Sequence, residues 1–194
     1  MKSHDNVIFY RAIYIKTHNK VKEVTIMLSE ISYALGSLDF LRDKETELKP
    51  ERLLRLYGSS RIAGKYTLFD FSGKQSVFAA PIRLKPLHAV GEDDFRGFLN
   101  YQSFTLSWKE RKLFRKWASE ILDDTIANPH GAKLLTGYLT ERKDDPGTTV
   151  LMTWWQSAGD LSEWLDSPSY DPLRQYGEPN PRNQYFFDQY HLAE

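Results

Sequence analysis

The side chains that could do chemistry in this chain are oxygen and nitrogen groups, because it contains no cysteine. Thiolate catalysis, cysteine-ligated zinc and cysteinyl iron-sulfur sites are therefore excluded. No HxxxH or HxH spacing occurs among the five histidines, which are His4, His18, His88, His130 and His191, so no dedicated zinc site is predicted. Asn100 lies in an otherwise apolar, aromatic-rich segment that is typical of a strand. A buried amide needs hydrogen-bond partners, so Asn100 is a candidate functional residue, with an edge-strand or bulge position as the alternative.

Several other ligand and partner classes have no support in the sequence. GxGxxG and P-loop motifs are absent, and Ser72-Gly73-Lys74 predicts a hairpin turn because it lacks an upstream glycine and a following helix. Basic and acidic residues number 26 each, and this zero net charge argues against a nucleic-acid partner. The apolar run from Val7 to Ile15 is too short to span a bilayer, and no Ala-x-Ala-like cleavage site follows it. We therefore expect a cytoplasmic protein without a membrane partner.

The segment that carries Asn100 opens a regular series of predicted elements in the second half of the chain. Ser107 and Glu110 have capping-box spacing, so a helix is expected to begin directly after that strand. Ser157 and Asp160 repeat a weaker version of this spacing before a short helix with an apolar face. The predicted strands cover residues 97–106, 132–140, 148–155 and 184–192. The resulting order, β-α-β-β-α-β, is that of a ferredoxin-like split unit.

The first half is less regular and is predicted to be mostly β. Strands are expected over residues 51–57 and 65–71, and Ser72-Gly73 would turn the second of these into a strand at 75–79. Pro81 and Pro86 then interrupt the pattern. The polar, turn-prone residues 91–94 mark a predicted boundary between a degenerate half-domain over 29–94 and the ferredoxin-like domain over 95–194.

Residues 1–28 are predicted to be an N-terminal extension that includes sequence upstream of the true translation start. Lys22-Glu23-Val24 can be encoded by AAG-GAG-GTN, which contains a bacterial ribosome-binding sequence, and it stands shortly before Met27. Translation would then begin at Met27. An ordinary N-terminal strand is the alternative interpretation.

The segment VLMTWWQSAGDLSEWLDSPSYDPLR carries a strand that ends in Trp155 and a polar residue, a short helix with Trp164, and a Ser-x-x-Tyr segment that ends at Tyr170. This pattern resembles the antibiotic-biosynthesis-monooxygenase (ABM) superfamily, specifically its two-part haem-degrading monooxygenases and the related TRAP-like stress or signalling proteins. Further landmarks follow the family order, namely ALGSLDFL, LYG, FSGKQSVFAAP and FLN. The resemblance covers residues 29–194. It implies an α+β fold in which ferredoxin-like halves pair as a dimeric α/β barrel.

In the haem-degrading members an Asn, a Trp and a His surround the haem, and the resemblance carries the first two roles to Asn100 and Trp164. Asn100 would orient bound O2, and Trp164 would distort the macrocycle. The third position is Arg174, whose guanidinium stays protonated and cannot ligate iron. Arg174 would instead pair with a carboxylate such as a haem propionate. With Trp155 and Tyr170, it completes the predicted substrate-binding set.

The iron ligand is left open by this substitution, with His130, His191 and Tyr170 as candidates. The leading prediction is an ABM-type monooxygenase related to haem-degrading enzymes, with haem as both substrate and cofactor and an external electron donor. One alternative is a cofactor-free ABM oxygenase of a phenol or quinol, which uses Asn100 and Trp164 to hold its substrate. The other is a non-catalytic TRAP-like ligand-binding or stress protein. The resemblance allows either a monomeric pseudo-dimer or a homodimer.

Overall fold

Antiparallel strands from a single chain close into a barrel in the computed structural model, which describes residues 13–17, 20–24, 27–92, 94–129, 131–178 and 183–193. Strands β1 (Ile13–Thr17) and β2 (Lys20–Val24) pair with each other in a separate two-stranded sheet. The barrel strands are β3 (Ile31–Gly36), β4 (Leu54–Ser59), β5 (Tyr66–Asp70), β6 (Ile82–Gly91), β7 (Phe98–Thr105), β8 (Leu134–Arg142), β9 (Thr148–Trp155) and β10 (Gln184–Leu192). The helices are α1 (Leu38–Leu48), α2 (Trp108–Ala127), α3 (Ala158–Asp166) and α4 (Asp171–Arg174), followed by a 3₁₀ turn over Gln175–Gly177.

The barrel is built from two four-stranded halves that share one hydrogen-bonded sheet. Its strand order is β10-β4-β5-β3-β6-β8-β9-β7, and β7 pairs back onto β10. The first half contributes β3 to β6 and the second half β7 to β10, and the halves join where β6 pairs with β8 and where β10 pairs with β4. The predicted boundary at residues 91–94 falls between β6 and β7, and the division into domains stays a prediction.

The second half has the β-α-β-β-α-β order that the sequence predicts. Ser107 and Glu110 form a reciprocal capping box at the start of α2: the Ser107 hydroxyl accepts from the Glu110 N–H at 3.4 Å. In return, the Glu110 carboxylate accepts from the Ser107 N–H at 3.3 Å. Ser157 caps α3 in a similar way by accepting from the Asp160 N–H at 3.2 Å. These caps fix where both helices leave the sheet.

We expect Ser107→Ala to lower the free energy of unfolding by about 1 kcal/mol, because it removes one of the few acceptors open to the first N–H groups of α2. Urea unfolding followed by circular dichroism measures the change. Ser119→Ala, in the middle of the same helix, is the matched control and should be neutral or slightly stabilising, since alanine has the higher helix propensity. Equal destabilisation by both substitutions would contradict the capping role.

The first half differs from the sequence prediction in four places. Strand β3 was not predicted. Helix α1 was not predicted either, so one helix accompanies the four strands of this half. Residues 75–79 form turns and loop instead of a strand. Pro86 lies within β6 rather than ending the pattern, at a register shift between Pro86 and His88 where a missing N–H is tolerated.

Three apolar layers fill the structure. One lies in the barrel lumen and includes Phe69, Phe71 and Trp154. A second lies between the outer face of the β7 to β9 sheet and helices α2 to α4, and a third lies under α1 and includes Leu41. The second layer holds the residues that the sequence singles out. Within the described ranges, no helix has the length and hydropathy that crossing a membrane requires.

Candidate functional site

Asn100 lies on the outer face of β7, since its neighbours Leu99 and Tyr101 belong to the lumen layer and side chains alternate along a strand. The ladder pairs it with Thr153 on β9 and with Gln189 on β10, without a register shift. Asn100 is therefore neither an edge residue nor a bulge residue. Its side chain is 1% exposed. A buried amide in the middle of a closed sheet points to a specific polar role.

The Thr153 hydroxyl connects Asn100 to the neighbouring aromatic residues. The Asn100 Nδ2 lies 3.5 Å from Thr153 Oγ1, at the limit of a hydrogen bond. The same oxygen accepts from Trp155 Nε1 at 2.9 Å. The Asn100 amide therefore has a weak partner on the sheet, which leaves much of its hydrogen-bonding capacity for another group.

Three aromatic side chains cover this face of the sheet. Trp155 and Trp164 have ring centroids 5.0 Å apart, and Trp164 and Tyr170 have centroids 4.6 Å apart. Helix α3 positions Trp164, whose Nε1 donates to Thr125 Oγ1 on α2 at 3.0 Å. Trp164 is only 3% exposed. The structure thus brings Asn100, Trp155, Trp164 and Tyr170 into one aromatic-amide cluster on the outer face of the second half.

Gln102 is a further polar member of this cluster that the sequence prediction missed. It stands two residues after Asn100 and therefore on the same face of β7, a period-2 signal that was available in the sequence. Its Nε2 donates to the hydroxyls of Tyr170 at 2.7 Å and Tyr185 at 3.1 Å. Its Oε1 is buried and has no hydrogen-bond partner within the described residues. Burial raises the pKa of the Tyr170 phenol, which therefore stays neutral.

A cleft of about 670 Å³ opens beside Trp164, between the end of α2 and the segment that follows α3. Its wall includes the carboxylates of Asp124, Glu163 and Asp166, and no lysine or arginine among the described residues. Trp164 belongs both to this wall and to the aromatic-amide cluster, whereas Asn100 does not reach the cleft. Asn100 is buried, and the aromatic rings of the cluster pack against one another on the same face of the sheet.

Arg174, the fifth predicted site residue, lies apart from the buried cluster. Its side chain is exposed on α4, and its Nη2 donates to Asp171 Oδ1 at 3.0 Å. Its guanidinium carbon lies 5.8 Å from the centre of the Tyr170 ring. The structure therefore places Arg174 at the rim of the cluster, where it is already paired with a carboxylate.

The described residues do not fit a bound haem. His88 bonds Asp123 on the exposed side of α2, and His191 bonds Ser60 in the first half, so neither faces the cluster. His4, His18 and His130 lie outside the described residues. The neutral, hydrogen-bonded Tyr170 is a poor iron ligand, and in the described part of the chain no group of three or more His, Asp or Glu side chains could hold a metal. The acidic cleft would also repel propionate groups.

No family profile matches the sequence, and no curated protein matches it either. Solved structures do match across most of the chain. A heme-degrading enzyme from Listeria monocytogenes is 14% identical, with a TM-score of 0.66 over 84% of this chain and 99% of that chain. An uncharacterised ferredoxin-fold protein related to antibiotic biosynthesis monooxygenases, from Listeria monocytogenes 4b F2365, is 14% identical, with a TM-score of 0.67 over 85% of this chain and 94% of that chain.

A third structure, of a major regulator of staphylococcal pathogenesis, is 13% identical, with a TM-score of 0.69 over 85% of this chain and 99% of that chain. At these identities the likeness concerns the fold. The resemblance predicted from the sequence is thereby confirmed at that level: the chain has the ferredoxin-like barrel fold shared by ABM-like monooxygenases and their relatives.

Proposed function

We propose that this chain is an ABM-type monooxygenase that oxidises a planar, electron-rich aromatic molecule without a resident iron. The observation that carries the proposal is the pair of buried amides on one face of β7: Asn100 shares Thr153 Oγ1 with Trp155, and Gln102 donates to Tyr170. The Gln102 Oε1 has no donor within the described residues, and an unpaired buried carbonyl costs about 1–3 kcal/mol. A bound hydroxyl or N–H group would remove that cost.

The substrate enters through the cleft beside Trp164. Because Asn100 does not line the cleft, the Trp164 indole must move away from Trp155 to admit the substrate ring. A carboxylate on the cleft wall, Glu163 or Asp166, accepts the phenolic proton as the substrate enters, before the phenolate moves past Trp164 to Asn100. The Asn100 N–H groups then stabilise the developing oxyanion. The site thus supplies a base, an oxyanion donor and an aromatic wall from this chain alone.

The oxidation balances without an external reductant for a phenolic substrate. One atom of O2 is bonded to a ring carbon of the substrate and becomes a quinone carbonyl. The other atom leaves as water with the two hydrogens that the phenol loses. This is the cofactor-free alternative among the sequence predictions, and it needs no iron ligand, for which the described residues offer no good candidate.

We expect Asn100→Ala to lower the rate of 1-naphthol oxidation about 100-fold, because one preorganised oxyanion donor contributes about that much in water-excluded sites. Mass spectrometry after incubation with ¹⁸O2 should detect one labelled atom in the naphthoquinone product. Gln156→Ala, an exposed amide after β9, is the matched control and should leave the rate unchanged. Turnover by Asn100→Ala at the wild-type rate would contradict the role of Asn100.

Haem is tested with the same preparations, because a heme-degrading enzyme shares the fold. Haemin is titrated into the wild type and Arg174→His, with Soret absorbance and resonance Raman as readouts. The cofactor-free proposal predicts no saturable binding to the wild type. Stoichiometric binding with a defined axial ligand and reductant-dependent bleaching would instead support the haem-degrading type. An iron ligand such as His130 would then have to come from outside the described residues.

One observation favours a second candidate function. Asn100 is buried and does not line the cleft, as expected of a protein that has kept the fold and lost the reaction. A TRAP-like ligand-binding or stress protein would show neither haemin bleaching nor ¹⁸O incorporation. Asn100→Ala would then change neither binding nor turnover.

We further propose that the chain functions as a monomeric pseudo-dimer. One chain supplies all eight strands of the closed barrel, so no second copy is needed to complete it. Light scattering coupled to size-exclusion chromatography should give a mass near 22.6 kDa. A mass of twice this value would favour the homodimer.

A further inference from the structure

The barrel lumen is packed at one end and open at the other. At the packed end, Phe71 and Phe95 stack with centroids 4.1 Å apart, and Trp154 meets Phe95 edge-on at 5.2 Å. At the open end, a pocket of about 400 Å³ enters the lumen. We call it the mouth pocket. The side chains that matter in its wall are Tyr33, Ile82, Tyr101, Arg142 and Phe186.

The mouth pocket and Asn100 lie on opposite faces of the sheet, although Tyr185, whose hydroxyl accepts from Gln102, also lines the pocket. Tyr101 and Asn100 are adjacent on β7, so their side chains point to opposite faces of the sheet. Tyr101 belongs to the lumen layer, whereas the aromatic-amide cluster belongs to the layer under α2 to α4. A ligand in the mouth pocket would be separated from Asn100 by the sheet itself.

Two tyrosine hydroxyls in this pocket form one hydrogen bond with each other, which uses the proton of only one of them. Tyr33 Oη and Tyr101 Oη lie 2.9 Å apart, and only one of them can donate in that hydrogen bond. Burial raises the pKa of both phenols, so both keep their protons at neutral pH. Neither hydroxyl makes another hydrogen bond to a described residue. The second O–H therefore has no acceptor among the described residues and is free for a ligand in the pocket.

Arg142 is the group in this pocket that could hold an anion, although Asp144 beside it raises the pKa of Tyr33. Arg142 lies within electrostatic reach of both hydroxyls, because its positive charge lowers their pKa values against the effect of burial. Its Nε and Nη2 donate to Asp144, which leaves Nη1 without a bond to a described residue. Lys65 also lines the pocket and is held by Asp188 at 2.8 Å. Asp145 is the lining carboxylate, and the Gly147 N–H and the Thr148 hydroxyl donate to it.

An apolar rim surrounds these polar groups. Phe186 is 46% exposed and Leu35 is 53% exposed, and both line the mouth pocket with Ile82. Large exposed apolar side chains grouped at a concave site are typical of ligand contact. The volume lies within the usual range for small-molecule sites, about 300–1,000 Å³.

We propose that the mouth pocket binds a small aromatic carboxylate. The carboxylate accepts from Arg142 Nη1 and from the free hydroxyl of the Tyr33–Tyr101 pair. The ring lies against Phe186 and Ile82 and covers the exposed rim. Such a ligand satisfies the unused phenolic donor and the free guanidinium nitrogen together and pairs a negative charge with Arg142, whereas a neutral aromatic alcohol brings no opposite charge.

Benzoate and benzyl alcohol are the probes, because they share a ring and differ in charge. Isothermal titration and ligand-observed NMR should show saturable benzoate binding. We expect benzyl alcohol to bind at least about tenfold more weakly, and Arg142→Gln to weaken benzoate binding by about 10- to 100-fold. Tyr33→Phe combined with Tyr101→Phe should weaken benzoate binding by about tenfold, since either hydroxyl alone could still donate to the carboxylate.

Arg96→Gln is the matched control. Arg96 also pairs with an aspartate two residues away, Asp94, but its side chain is 67% exposed outside the mouth pocket, so benzoate binding should not change. The proposal is overturned if benzoate does not saturate the wild type, if both probes bind equally, or if the Arg142 and Arg96 variants behave alike. No turnover is measured, so these outcomes are independent of the proposed monooxygenase function.

Discussion

Replacing Lys65 with methionine is expected to lower the free energy of unfolding by about 3–5 kcal/mol, because it leaves a buried carboxylate without its cation. That carboxylate, Asp188, is fully buried on the inner face of β10. Lys65 Nζ donates to Asp188 Oδ2 at 2.8 Å, and the Ser59 hydroxyl donates to Oδ1 at 2.7 Å. The Gln189 N–H donates to the same Oδ1 at 2.9 Å. Without Lys65, neutral donors alone must hold a full negative charge.

The pH dependence of this effect follows from the Asp188 pKa. Burial alone would raise that pKa, but the hydrogen bonds from Lys65 and Ser59 outweigh burial and hold it below the ordinary value of 3.8. Because the pKa of Asp188 is lower in the folded protein than in the unfolded chain, its carboxylate stabilises the fold above pH 3.8. This stabilisation is lost as the pH falls through the pKa of the folded state. The difference between the wild type and Lys65→Met should therefore be largest near neutral pH and shrink below about pH 4.

Urea unfolding at several pH values measures this prediction. Lys112→Met, an exposed lysine on α2, is the control and should change stability by less than about 0.5 kcal/mol. Adding Asp188→Asn to Lys65→Met should restore part of the loss, since it removes the unpaired charge. A loss below 1 kcal/mol in Lys65→Met would mean that the Asp188 charge is compensated by some other group.

Trp154→Ala is expected to cost about 3–5 kcal/mol, the usual range for deleting a fully buried aromatic side chain. Trp154 is inaccessible to solvent and packs against Phe71, Phe95 and Tyr138, with centroids 5.5, 5.2 and 6.2 Å away. Its Nε1 also donates to the Tyr57 hydroxyl at 2.9 Å. Alanine would leave a large void at the packed end of the lumen and remove that hydrogen bond.

Two further variants separate these contributions in the same urea experiment. Trp154→Phe keeps most of the ring packing and removes the hydrogen bond, so it should cost about 1–2 kcal/mol. Trp108→Ala removes a tryptophan that is 65% exposed in the first turn of α2 and should be close to neutral. Similar losses for Trp154→Ala and Trp108→Ala would show that lumen packing does not dominate stability.

The second half of the fold could be predicted because its signals are local. The Ser107 and Glu110 spacing marks a helix start, and aromatic strands bounded by turns stand on either side of it. Helix α1 gave no such signal. Most of its residues are charged or polar, only Leu41 is buried, and Ser37 makes no side-chain cap. It is held by packing onto the sheet, which cannot be read from local sequence.

The candidate site was predicted in part for a similar reason. Asn100 is conspicuous because an amide is unusual in an apolar strand, and Gln102 shares its face by simple alternation. The adjacent Trp154 and Trp155 are different: one faces the lumen and the other faces the helices. The register of β9 decides which tryptophan faces the lumen and which faces the helices. The same register places Thr153 beside Asn100. Long-range pairing of this kind is not encoded in residue spacing.

The position of β10 in the ladder affects how the chain can fold. This strand pairs with β7 on one side and β4 on the other, and its Asp188 meets Ser59 across 129 residues. Until β10 docks, β4 and β7 are open sheet edges of the kind that recruit other chains. Because β10 follows every other barrel strand in the sequence, a nascent chain exposes both edges through most of its synthesis. The chain would therefore depend on chaperones until β10 closes the barrel. Once β10 has paired with β4 and β7, the same strand would make the protein resistant to aggregation.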